Sequence, residues 1–226
     1  QRTDDFNTGD NEGVSYFSVN QRSGWRVNTS RAFLHTVSNK HKLRIITDAH
    51  ATRILVNQNR AFGIQFLQSG YTKTASARAE VLISAGAIGS PHLLQLSGLG
   101  PYEKLKSHGI EVLRNVEEVG SNLQDHLQLR CFWKLRNAKT LNNTVNSFYG
   151  KFKAGLQYLI SRTGPMSMAP SHLGAFAKSR PDVATADLEY HVQPLSLDSF
   201  GKPLHKYPAI TASVCHLRPE SRGTVS

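Results

Sequence analysis

Residues 80–100 read EVLISAGAIGSPHLLQLSGLG. Val81, Leu82 and Ile83 form the apolar run that a strand covered on both faces needs. Gly86 permits a tight turn and a close backbone approach that a side chain would block. Ser90 is a good N-cap, and Pro91 suits the first helical position. His92 to Leu96 continue the helix, and Gly98 can end it. The stretch predicts a strand, a glycine turn and a helix, in that order. Such a turn presents backbone N–H groups to an anion or a polar cofactor edge. Taken alone, Ser84, Ala85, Gly86 and Ala87 fit either a cofactor turn or a structural turn that needs glycine for packing.

Upstream, residues 43–47 and 51–56 are strand-like, and residues 57–60 form a polar turn. Phe62, Ile64 and Phe66 alternate with Gly63 and Gln65, as a half-buried strand does. Ser69-Gly70 makes the next turn and residues 71–77 pair back, completing a short antiparallel meander. Residues 1–24 are polar and read as a surface loop. Downstream, Pro101 opens a short helix that His108-Gly109 ends, and residues 110–113 read as a strand. Beyond His126 the character changes. Val145, Phe148, Tyr149, Phe152, Leu156, Leu159 and Ile160 fall at helical spacing and give one apolar face; Gly164-Pro165 stops that helix. Leu188, Tyr190 and Val192 alternate with Glu189, His191 and Gln193, so one sheet face is apolar and the other polar. Residues 209–215 and 222–226 read as further strands. A domain boundary is expected near residues 127–130.

Residues 86–100, GAIGSPHLLQLSGLG, closely resemble the second signature of the glucose-methanol-choline (GMC) oxidoreductases, flavoenzymes that oxidise alcohols. Residues 119–126, VGSNLQDH, resemble the family's segment that closes the flavin domain. Residues 24–34, GWRVNTSRAFL, are similar to the segment before its adenine-side strands, and residues 218–225, RPESRGTV, to a late substrate-domain strand. The four blocks come in the family's order and span almost the whole chain. The nearest group is that of the bacterial choline-dehydrogenase-like alcohol dehydrogenases. The family's GxGxxG turn is absent from the sequence, as is its segment with the catalytic histidine. The expectation is therefore an interior piece of a longer enzyme, with no catalytic residue in this chain, poor FAD retention by itself and no turnover.

The resemblance implies an α/β (α+β) architecture. Residues 1–128 would be the central part of an FAD-binding domain with an inserted β-meander. Residues 129–226 would be part of an antiparallel-sheet substrate domain with helices. It implies FAD as cofactor and a small-molecule alcohol as substrate. A base takes the hydroxyl proton while a hydride passes to flavin N5, and the electron acceptor is a quinone, a dye or oxygen. Ser84, Ala85, Gly86 and Ala87 would lie at the flavin, and Ala51 would meet the adenine through its main chain. Asn122, Asp125 and His126 would lie near the flavin, the plain alternative being capping or a satisfied polar network. His172, in SHLGAF, aligns with a pocket-lining strand where choline-oxidising relatives carry Glu. A histidine supplies no fixed negative charge for a trimethylammonium group, which argues against choline; a packing histidine is the alternative. His191 and Gln193 could line the same pocket.

The formal charge is +11, from 27 basic and 16 acidic residues. Alone this points to nucleic acid or an anionic surface. The basic residues are scattered, with small clusters such as residues 40–44 and 151–153, and no nucleic-acid motif accompanies them. No nucleic-acid partner is expected. No apolar run is long enough to span a bilayer and no signal peptide is visible. The expected location is the bacterial cytoplasm or a peripheral membrane position, without stable insertion of this segment. Cys131 and Cys215 lack metal-like or redox spacing and read as two buried thiols. There is no HExxH, no CxxC and no GxSxG, so neither a metal nor a serine-hydrolase elbow is expected. A non-catalytic binding protein on the same scaffold is the alternative from another class.

Overall fold

The computed structural model describes residues 1–9, 11–37, 40–199 and 201–226. In chain order the strands are β1 (Gly13–Tyr16), β2 (Gln21–Arg22), β3 (Trp25–Arg26), β4 (Ala49–Asn57), β5 (Arg60–Gln68) and β6 (Tyr71–Ser76). Helix α1 (Gly86–Leu96), β7 (Leu99–Gly100), α2 (Tyr102–Ser107) and β8 (Arg114–Asn115) follow. Then come β9 (Gln128–Lys134), α3 (Leu141–Asn146), α4 (Phe148–Ser161), β10 (Leu173–Ala177), β11 (Leu188–Gln193) and β12 (Ala209–His216). The fold is mixed α/β, with antiparallel sheets and one short parallel pair.

The chain divides into two compact units, and neither is continuous. One combines Gln1–Ser38 with His126–Pro219; the other combines Asn39–Asp125 with Glu220–Ser226. This differs from the linear division at residue 128. The N-terminal stretch joins the first unit because β1 pairs antiparallel with β10, from Gly13 opposite Phe176 to Tyr16 opposite Leu173. The expected surface loop over residues 1–24 therefore contains an edge strand and β2, which pairs with β3 just beyond it; Asp10 lies outside the described residues.

The first unit is a five-stranded antiparallel sheet in the order β1-β10-β11-β12-β9, with α3 and α4. The two faces read at residues 188–193 are present; along β11 all residues are half-buried except Gln193, which is buried. The buried face carries Ala209, Thr211, Ser213 and Cys215 of β12 with Gln193 of β11. The apolar face is half-open: Val14 is 46%, Leu129 58% and Trp133 50% exposed. Phe6, Phe17 and Phe176 form a ring cluster, with centroids 4.8 Å and 5.7 Å apart for the pairs that Phe6 makes. Cys215 is buried, and burial raises its thiol pKa above the ordinary value. Cys131 is exposed, against expectation, because it projects on the half-open side of edge strand β9.

The second unit holds the meander β4-β5-β6. Gln58-Asn59 and Ser69-Gly70 take positive φ at both positions, the turn geometry that matches strand twist. Ile54 and Phe66 supply its buried apolar side chains. The strand expected at residues 43–47 is irregular instead. So are residues 110–113, with the strand β8 falling just after them. Val81 to Ile83 form no strand, because no ladder partner lies beside them among the described residues; Leu82 is 80% exposed. Residues 222–226 make one bridge, Gly223 to Leu123, rather than a strand.

Candidate functional site

Helix α1 begins five residues earlier than expected, at Gly86, with Ala85 as N-cap. Ser90 does not cap it from outside. Its Oγ accepts the Ala85 N–H at 3.1 Å from within the first turns, and Pro91 sits inside the helix. Pro91 is tolerated there at the loss of one intrahelical bond to the Ala87 carbonyl. Helix geometry leaves the N–H groups of Gly86, Ala87 and Ile88 without intrahelical acceptors. Ser84, Ala85, Gly86, Ala87 and Ile88 are all exposed. Gly86 has φ +83°, and a Cβ built on it would meet nothing within 4 Å. Glycine is therefore needed here for its backbone angle, not for packing inside the chain. The head of α1 is an open, donor-rich surface.

The other end of α1 is closed. Ser97, fully buried, accepts the Ile54 N–H at 2.8 Å and donates to the Leu93 carbonyl at 2.6 Å. Ile54 belongs to β4, an edge strand of the meander, so a side chain satisfies a donor that has no ladder partner. Gln95 is buried, and its Nε2 donates to the carbonyls of Val119 and Val225, both at 3.1 Å. Gly98 takes φ +81° beside the Glu111 carbonyl. Sequence reading missed Gln95 and Ser97. The signal was a serine directly before the C-terminal glycine.

Ala51 is half-buried in β4, opposite Phe66, next to a bulge at Thr52. Asn122 is exposed with φ +61°, and Leu123 beside it exchanges two backbone hydrogen bonds with Gly223, at 2.9 and 2.8 Å. Asp125 and His126 are exposed, and the boundary between the two units falls between them. Ala51, the α1 head, Asn122 and Asp125 thus belong to one unit, and His126, His172 and His191 to the other.

His172 extends β10 by one residue. Its N–H donates to the Val192 carbonyl at 3.2 Å and its carbonyl accepts the Phe17 N–H at 2.9 Å. It lines a cleft of about 250 Å³ with Tyr16, Phe17, Val19, Met168 and Ala169. Larger hollows lie near Gln1 and Gly24 but contain none of the expected site residues. His191 does not line the cleft. It packs against Phe17, 5.2 Å between ring centroids, with Nε2 3.3 Å from Glu189 Oε1. Gln193 donates to Ser171 Oγ at 3.1 Å. Tyr16 and Phe17 were not foreseen, because the stretch that carries them was read as a loop.

One further constellation has the residue types of a hydrolytic triad. Ser196 Oγ is 2.9 Å from His205 Nδ1, and His205 Nε2 is 3.0 Å from Asp198 Oδ1. Ser196 is fully buried, however, and Asn142 Nδ2 donates to its Oγ at 3.0 Å. No substrate reaches that hydroxyl, and the group clasps a loop onto α3. Among the described residues no group of three or more His, Cys, Asp or Glu side chains is placed to hold a metal. Among the same residues no helix is long and apolar enough to cross a membrane.

Residues 1–128 match the model of the GMC oxidoreductase family. An alcohol dehydrogenase [acceptor] of Pseudomonas putida is 36% identical over 225 residues, which are 98% of this chain and 40% of that protein. An oxygen-dependent choline dehydrogenase of Burkholderia thailandensis is 35% identical over 226 residues, 99% of this chain and 40% of that protein. The chain thus spans about two fifths of the length of the curated relatives it matches. Among solved structures, pyridoxine 4-oxidase from Mesorbium loti superposes with a TM-score of 0.75 at 25% identity, over 97% of this chain and 39% of that one. An FAD-dependent oxidoreductase from Chaetomium thermophilum shares the fold, with a TM-score of 0.80 at 20% identity over 96% and 44% of the two chains. The open glycine turn heading α1 lies inside the matched region, and the chain belongs to the GMC oxidoreductases, a family of FAD-dependent flavoproteins.

Proposed function

We propose that this chain forms part of an enzyme that oxidises an uncharged alcohol to a carbonyl with FAD, and that the head of α1 lies against the flavin. The observation that carries this reading is Gly86. It holds a left-handed angle in open space, at the head of an eleven-residue helix whose first N–H groups face outward. Gly70 and Gly109 are as open in plain turns; what sets Gly86 apart is the eleven-residue helix that it heads. The residues fit the cofactor: Gly86, Ala87 and Ile88 would offer N–H groups, and small Ser84 and Ala85 would let it approach. Ala51 would contact the adenine side through its backbone, and Asn122, Asp125 and His126 would border the same cofactor. When bound, FAD accepts the hydride of the alcohol. The protein's share is to hold, orient and exclude water.

His172 sets the substrate class in this reading. Its cleft is walled by Tyr16, Phe17, Val19, Met168 and the uncharged polar Gln21 and Ser167, and a histidine there offers no fixed negative charge to an ammonium group. The test is the full-length gene product, purified and assayed with an artificial acceptor on uncharged alcohols and on choline. A bound yellow flavin and faster turnover of an uncharged alcohol are expected. Gly86→Val should lose most of the flavin while keeping its circular dichroism spectrum. His172→Glu should shift kcat/KM toward cationic alcohols. Full flavin retention by Gly86→Val would sink the placement of the cofactor, and choline as best substrate would sink the reading of His172. A non-catalytic scaffold predicts flavin or ligand binding with no turnover of any alcohol.

A further inference from the structure

Strand β10 carries a glycine with no room beside it. A Cβ built on Gly174 would overlap Cζ of the Phe17 ring and stand 2.6 and 2.8 Å from its Cε1 and Cε2. The three nearest atoms all belong to that ring. Register explains the approach. Ser15 lies opposite Gly174 across β1 and β10, and the Phe17 N–H donates to the His172 carbonyl at 2.9 Å. Phe17 thus sits across from His172, and its ring leans back diagonally over Gly174. The missing side chain is the seat of the ring. Gly174 lies outside the left-handed region, so alanine there adds no backbone strain and meets only the ring.

The surroundings decide which way the ring can turn. Its backbone is held by the bond to His172. Phe6 bounds the ring on one side, 5.7 Å between centroids, and His191 on another, at 5.2 Å. His191 is itself the residue opposite Gly174 in β11. The open side is the cleft of about 250 Å³ that Phe17 and His172 line together. All of these residues lie in one compact unit.

We propose that Gly174 is a positioning residue that sets how large a molecule the His172 cleft admits, by letting the Phe17 ring lie on the sheet instead of across the cleft. On the reading of that cleft as the substrate's, the molecule is the alcohol. Gly174 touches no substrate and acts through Phe17. A methyl group in its place turns the ring outward, to where a bulky substrate would lie, while a small one still fits. A pocket that is short of room by one carbon discriminates by about tenfold or more.

The test uses the full-length gene product with Gly174→Ala, Phe17→Ala and the two combined. The readout is the ratio of kcat/KM for benzyl alcohol to that for ethanol, which the fraction of active enzyme does not alter. Gly174→Ala should lower that ratio by about tenfold or more, through KM for benzyl alcohol, and leave ethanol unchanged. Phe17→Ala should raise the ratio. With Phe17→Ala in place, Gly174→Ala should change nothing, because the methyl group has no ring left to move. A glycine needed only for stability would lower kcat for both alcohols alike. Modification of His172 by diethyl pyrocarbonate, followed by mass spectrometry, reads the same movement without turnover. Gly174→Ala should slow it and Phe17→Ala should speed it. In an active product an unchanged ratio overturns the proposal. In a product that oxidises no alcohol, unchanged His172 rates overturn it, whereas shifted rates sink the alcohol and leave Gly174 in control of the cleft. It also falls if Gly174→Ala acts equally with and without the Phe17 ring, or folds only when Phe17→Ala accompanies it.

Discussion

At its C-terminal end α1 runs into Ser97 and Gly98, both buried; at its other end it starts from Ser84, Ala85 and Gly86, all exposed. The two glycines hold nearly the same backbone angle, φ +81° and +83°. Around Gly98 the space is full, with the Glu111 carbonyl and Leu113 against it; around Gly86 it is empty. The same residue in the same conformation thus serves packing at one end of a helix and leaves access at the other. A glycine's angle alone does not separate a structural turn from a binding turn. What surrounds its missing Cβ shows only whether packing requires the glycine, since Gly70 in the meander's second turn is as open as Gly86.

The sharpest way to break this contrast is Gly98→Ala. The added methyl group meets backbone that cannot yield, on top of the left-handed strain. A cost of about 3 kcal/mol or more is expected. Faster amide exchange through β7 and β8, read by mass spectrometry, would report it. Ser97→Ala comes next. It leaves the Ile54 N–H and the Leu93 carbonyl without their partner in a buried place, at about 1–3 kcal/mol. The Ile54 amide should lose protection first. Gly86→Ala should cost only the left-handed angle, about 1–2 kcal/mol, with no change in exchange at β4. If it costs as much as Gly98→Ala, the head of α1 is not open and the comparison fails.

The sequence was most legible where structure is local. The meander was read almost to the residue, because the turns at Gln58-Asn59 and Ser69-Gly70 sit between alternating strands and need nothing remote. The end of α1 at Gly98 and the limits of α2 were equally local. The start of α1 was misjudged because Ser90 and Pro91 carry the chemistry of a helix start yet lie inside the helix, Ser90 reaching back to Ala85. β1 was missed because its partner β10 lies about 160 residues away and nothing in its own four residues names it. Val81 to Ile83 have a strand's composition but, among the described residues, no neighbour to pair with. For α4 and β11 the periodicity grouped the residues by face without saying which face is covered. A period marks which residues share a face, whereas what covers that face is set by the rest of the molecule. In the candidate site, the glycine turn was legible from its type. Ser97, Gln95, Tyr16 and Phe17 were not, since each acts through a contact with a distant segment.

The smallest expected effect carries the contrast between closed and open polar groups into the other unit. Asp187 is closed in the manner of Ser97. Its two carboxylate oxygens accept the hydroxyl of Ser179 at 2.6 Å and the Ser179 N–H at 2.7 Å. These bonds, the hydroxyl first, hold its pKa below the ordinary value of 3.8. A lowered pKa means that the folded chain binds the proton less readily than the unfolded one. The stabilisation is therefore complete above 3.8 and is lost as the pH falls from there through the folded value. Asp187→Asn keeps the shape but not the charge. It should be less stable than the natural chain at neutral pH, and the gap should close as the pH drops below 3.8. Urea unfolding followed through Trp25 and Trp133, which both lie in this unit, measures that gap directly. A gap that stays constant to pH 3 and below, about one unit under the ordinary value, would show that the Ser179 bonds do not favour the ionised carboxylate.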